Sequence, residues 1–185
     1  MKNIFKIIIL TSVIVGCSSS KTIQKVNDSQ EIKVPLEGKE FQTNKDYFRA
    51  KNYGKSPDLA TAKKIALLNA KSELASNINS TIKKVAEQYV NQRTINNTQE
   101  YESKFEENTR EVVSQIFNDV VIIGEKMFKE NDGGYTYWIA IETSKTQILE
   151  SINQKISKNE SLKLDYDKVK FEQIFNTEIE KIESK

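Results

Sequence analysis

A chain of 185 residues carrying 28 basic and 26 acidic side chains suits a single domain of nearly balanced charge. It has no histidine and one cysteine, which excludes Ser-His-Asp and Cys-His catalysis, the commonest transition-metal ligand and any intramolecular disulfide. No basic block recommends nucleic acid as a partner, and 37% hydrophobic against 29% charged residues point to a small core with much solvated helix surface.

The chain begins with the basic stretch Met1-Lys2-Asn3-Ile4-Phe5-Lys6, followed by an apolar run of nine residues from Ile7 to Val15, then Gly16 and Cys17. This is the layout of a secretory signal. Spanning a bilayer as a helix takes roughly 20 residues, so the run is not a permanent anchor. Ile14-Val15-Gly16-Cys17 resembles the lipobox of bacterial lipoproteins. That class implies a signal peptide over residues 1–16, cleavage before Cys17, a diacylglycerol thioether on its sulfur, and an acyl group such as palmitate on the new amino terminus. A lone cysteine in an exported chain is thereby explained, and several acyl chains hold where one binds only marginally. Cleavage removes Lys2 and Lys6 and leaves 26 basic and 26 acidic side chains. Net charge then offers little to an anionic membrane surface. Ser18 stands where an aspartate would commonly signal inner-membrane retention, so the outer membrane is expected. No acidic cluster follows the cysteine, so the domain is expected to face the periplasm.

Residues 17–45 are polar and read as the lipidated cysteine and a flexible tether, with at most a short strand at Ile32-Lys33-Val34. A first strand is expected from Asp46 to Tyr53 and is ended by Gly54. Ser56-Pro57-Asp58 opens a helix, with Ser56 as N-cap and Pro57 in the first helical position. On it Ala62, Ala66, Ala70, Leu74, Ile78 and Ile82 form a buried stripe that Ile65 and Leu68 widen. The helix is expected to reach about Arg93, with a loosening at residues 77–81. Asn97 is positioned to cap a second helix that buries Tyr101, Phe105, Val112 and Ile116 and pairs Glu106 with Arg110.

Val120-Val121-Ile122-Ile123 starts a strand with a bulge site at Gly124, and Asn131-Asp132-Gly133-Gly134 supplies a hairpin turn. In the returning strand Tyr135, Tyr137, Ile139 and Ile141 face one way and Thr136, Trp138 and Ala140 the other. Ser144 and Gln147 cap a helix through Ile148, Leu149, Ile152 and Ile156. A last amphipathic segment, within residues 157–185, carries Tyr166, Val169, Phe171, Ile174, Phe175, Ile179 and Ile182. The fold class is α+β: a small, mainly antiparallel three-stranded sheet packed by long helices, in the order β-α-α-β-β-α-α.

Two stretches carry a family resemblance: GKSPDLATAKKIALLNAKSELA from Gly54 to Ala75, and Asp132-Gly133-Gly134-Tyr135-Thr136-Tyr137-Trp138-Ile139-Ala140-Ile141. Together with the lipobox they resemble the LPP-twenty family of bacterial outer-membrane lipoproteins, over residues 46–156. The resemblance implies a compact α+β domain at the outer membrane. Members include antigenic surface lipoproteins and relatives of flagellum-associated envelope proteins. It carries over no catalytic residue and no flagellar role.

The lipobox resemblance makes Cys17 the expected lipidation site. Tyr135, Tyr137 and Trp138 are the candidate binding surface, although ordinary strand packing accounts for aromatics there. Glu125, Glu130 and Glu142 could be imagined as an acid and base pair for a glycan, but solvated strand positions account for them better. No cofactor, no metal site and no catalytic residue is expected. The function read from the sequence is a non-catalytic outer-membrane lipoprotein serving structure or assembly in the cell envelope. The alternative is a binding module for a cell-wall fragment or lipid. Because the helices exceed what three strands can cover, they are expected either to fold back or to join copies; self-association, or association with other envelope proteins, is the favoured outcome.

Overall fold

A computed structural model describes residues 32–92, 98–116 and 120–183. The expected signal peptide, Cys17, the expected Asn97 cap and the first half of the expected tether lie outside them. Residues Lys33–Lys185 form one compact unit. Its elements are β1 (Tyr47–Ser56), α1 (Leu59–Asn91), α2 (Thr98–Ile116), β2 (Val121–Lys129), β3 (Tyr135–Ser144), α3 (Lys145–Lys158) and α4 (Lys168–Glu183), preceded by a 3-10 turn at Lys39–Phe41. The class is α+β, in the order the sequence indicates, with a three-stranded antiparallel sheet ordered β1-β3-β2.

The β2–β3 hairpin closes as the turn residues dictate. Gly133 takes φ 88°, and Gly134 N–H donates to Asp132 Oδ1 at 2.9 Å. The register of β2 slips between Ile122 and Gly124, next to the glycine marked as a bulge site. On β1, Phe48 lies opposite Thr143, Ala50 opposite Ile141 and Gly54 opposite Tyr137. These residues share the face that receives α1. Ala62, Ala66, Ala70, Leu74 and Ile78 are all completely buried, because small side chains every four residues let the helix lie close along the sheet.

Several local expectations need correcting. Gly54 does not end the strand; it lies within β1, which continues to Ser56. The N-cap of α1 is Asp58, whose carboxylate accepts Thr61 N–H at 2.8 Å, while Ser56 Oγ instead accepts Asp58 N–H at 3.2 Å. Ile65 and Leu68 are 36% and 69% exposed, so they do not widen the stripe: so close a helix hides only its central row. The helix runs unbroken through residues 77–81, with Thr81 Oγ1 donating back to Asn77 O at 2.9 Å. Val169 is 64% exposed and does not belong to the buried face of α4.

No strand forms at Ile32-Lys33-Val34. Residues 33–45, assigned to the tether by sequence, are folded onto the domain. Leu36 is buried. Its carbonyl accepts Lys51 Nζ at 3.0 Å, Gln42 O accepts Arg49 Nη1 at 3.1 Å, and Thr43 Oγ1 exchanges bonds with the Arg49 backbone at 2.9 and 3.2 Å.

The second half of α1 projects beyond the sheet and supports the other helices. Tyr89 meets Tyr101, Tyr166 and Phe171 with ring centroids 6.3, 6.1 and 5.8 Å apart. Tyr89 OH donates to Asp165 O at 3.0 Å and accepts Asp167 N–H at 2.7 Å, fixing the entry to α4. Burial pushes the Tyr166 phenol well above the usual tyrosine range; its hydroxyl donates to Asn153 Oδ1 of α3. Phe171, Ile174, Phe175 and Ile179 are buried. The helix faces that sequence offered for joining copies are thus used within one chain, and they favour the folded-back alternative.

Candidate functional site

Strand pairing distributes the candidate residues between two faces. Tyr137 lies on the helix side and is buried. Its hydroxyl donates to Glu125 Oε1 at 2.8 Å, and the same oxygen meets Lys63 Nζ of α1 at 2.7 Å. The Lys63 hydrogen bond, with help from Tyr137, holds the Glu125 carboxyl below its ordinary range; Glu125 in turn raises Lys63. Burial raises the Tyr137 phenol. Each shift favours the charged form, so the cluster is an ion pair that ties α1 to the edge strand.

The other two glutamates are elsewhere. Glu142 lies on the opposite face, bound by Arg49 Nε at 2.8 Å, and the pair holds down the incoming segment through Arg49. Glu130, at the hairpin, accepts the Thr136 hydroxyl. The three carboxylates do not converge on one site. Of the four glutamates along α2 that read as an exposed face, Glu100, Glu106 and Glu107 are exposed and Glu102 is half-buried, with Glu100 and Glu106 bonded to Lys104 and Arg110 at 2.6 and 2.7 Å.

Trp138 is separated from Tyr135 and Tyr137 and occupies the face turned away from α1. There the sheet has two zones. The zone around Ala140 and Gly124 is roofed by the incoming segment: a Cβ added at Gly124 would lie 2.5 Å from the Phe41 ring and 3.1 Å from Leu36 Cδ2. Among the described residues, the zone toward the hairpin has no such roof, although Thr136 within it is buried by its neighbours. Across it run Tyr53, Trp138 and Lys126 in one row, then Lys55, Thr136 and Phe128 in the next. The Tyr53 and Trp138 rings lean together with centroids 4.8 Å apart and planes at 33°. Period-two alternation alone separates Trp138 from its two tyrosine neighbours. Tyr53 as its partner was missed, because that contact depends on a β1–β3 register no local pattern encodes.

The surface recesses lie away from Trp138. A groove of about 330 Å³ between α1 and α2 has Ile82, Ala86 and Phe105 as its floor and Lys83, Glu87, Glu102 and Arg110 on its rim. A shallower recess lies beside the hairpin, between Lys55, Pro57 and Gly133. Among the described residues, no helix is long and apolar enough to cross a membrane, and no three cysteine, aspartate or glutamate side chains are grouped to hold a metal. In comparisons with known proteins, no family model, no curated protein and no solved structure matches the chain.

Proposed function

We propose that the protein is a non-catalytic lipoprotein of the bacterial cell envelope, anchored in the outer membrane through acyl chains on Cys17 and facing the periplasm, where it serves structure or assembly. The observation that carries this reading is the chain's one cysteine, placed directly after Gly16 at the end of a short apolar run. The resemblance to the LPP-twenty family supports it, as does the absence of histidine from the sequence. Glu125, Glu130 and Glu142, each engaged with a different partner, give no support to a hydrolase. A balanced charge after cleavage leaves nucleic acid without an electrostatic basis.

With the helix faces buried, association with a copy or with another envelope protein falls to the sheet. Strand β2 is an edge in the order β1-β3-β2 and exposes Val121, Ile122, Met127 and Phe128, the kind of edge at which strands of other chains add.

Cys17→Ser tests the anchor. The variant is expected to appear as an uncleaved precursor or a soluble form, with loss of the fatty-acid label and of membrane fractionation. Unchanged mobility and fractionation, with no fatty-acid label on the unaltered protein, would overturn the reading.

A further inference from the structure

We propose that the unroofed zone of the sheet, formed by Tyr53, Trp138 and Phe128 with Lys55 and Lys126, is a contact surface for anionic lipid headgroups that seats the domain on the membrane to which it is tethered; this rests on the lipid-anchored reading above. Net charge after cleavage is zero, but its distribution on this zone is not even. Lys55 and Lys126 are exposed and form no ion pair with another described residue. The hairpin's acids are engaged locally: Glu130 accepts the Thr136 hydroxyl and Asp132 accepts Gly134 N–H. Two cations therefore flank three aromatics on a rigid surface. Tryptophan and tyrosine suit the headgroup level, where the ring is sheltered and its polar tip stays wet, and lysine stems lie along apolar surface with the ammonium in water. Phe128, 45% exposed, has no polar group to satisfy.

The approach of the chain points the same way. Leu36 and Phe41 cross this same face of the sheet, over Gly124, so the chain leading from the anchor enters the fold here. Sixteen steps separate Cys17 from Lys33, and even fully extended they reach only about 55 Å. An anchored copy is therefore confined within that reach of lipid, and the face at which the chain enters meets the membrane at raised effective concentration. A flat sugar ring is a poorer occupant, because Tyr53 takes one side of the indole.

Trp138 is the only tryptophan and reports directly on the zone. The full-length acylated protein, reconstituted into vesicles of phosphatidylglycerol and phosphatidylcholine, is expected to show a blue-shifted emission that brominated acyl chains quench. Each lysine near an anionic surface raises the seated population by roughly fivefold. The double variant Lys55→Glu/Lys126→Glu, which alters only exposed side chains, should therefore lose most of the quenching while still floating with the vesicles. Flotation reads the anchor and quenching reads the face, so the two failures separate. No flotation of the unaltered protein overturns the anchored reading, and this proposal with it. Flotation without quenching, or quenching that survives the double charge reversal, overturns this proposal alone. An emission change produced by soluble cell-wall glycan in place of vesicles assigns the zone to a sugar and overturns it too.

Discussion

Gly54→Val is expected to destabilise the domain by more than about 3 kcal/mol, because overpacking that must displace backbone exceeds the ordinary side-chain penalty. A Cβ at Gly54 would lie 2.4 Å from Ala62 O, 2.5 Å from Ala66 N and 2.7 Å from Ile65 Cβ. Two of these atoms are main chain within a helix that has no freedom to move locally. The strand must bow or α1 must lift, and lifting unseats Ala62, Ala66 and Ala70 together. For a chain of this size the loss corresponds to a fall in Tm of roughly 6–12 °C or more. Lys55→Val, one residue further along the same strand and exposed, should change stability by no more than about 0.5 kcal/mol. Equal thermal midpoints for the two variants would show that α1 does not approach β1 at Gly54.

Phe171→Ala is expected to cost about 3–5 kcal/mol, the range for deleting a large buried aromatic. Phe171 is completely buried where α4 docks, with ring centroids 5.2 Å from Phe105, 5.7 Å from Tyr166 and 5.8 Å from Tyr89. Its removal loosens α1, α2 and α4 at their common centre. Val169→Ala, on the exposed side of the same helix, should be nearly neutral. Denaturant midpoints read the difference, and light scattering accompanies them. A loss of stability at unchanged mass supports helix packing inside one chain. A Phe171→Ala variant that keeps its midpoint but loses an oligomeric mass would return this face to an interface between copies.

What the sequence encoded locally was legible. The alanine stripe of α1, the alternation in β3, the cap at Ser144 and the Asp132–Gly134 turn each follow from one short pattern, and together they give the α+β order. Features that depend on a distant partner were not legible. Gly54 reads as a strand terminator until the backbone of α1 is placed against it. Leu36 and Phe41 are too sparse in a polar stretch to show a period, so their packing over Gly124 had no local signal. Ile65 and Leu68 fall beside the stripe on a helical projection, and only the closeness of α1 to the sheet leaves them outside the contact. The same amphipathic pattern in the Tyr166–Ile182 segment serves folding back and joining copies equally, so periodicity could not choose between them. Of the candidate site, alternation places Trp138 on its own face, but register alone supplies Tyr53, Lys126 and the unroofed zone.

The most direct measurement is the intact mass of the protein purified from membranes, with fragmentation of its amino-terminal peptide. The expected result is a chain of residues 17–185 whose first residue is Cys17, carrying diacylglycerol on sulfur and an acyl group on nitrogen. A chain that retains residues 1–16, or one that begins at another residue with Cys17 absent or unmodified, would contradict the anchored reading on which the proposed function depends.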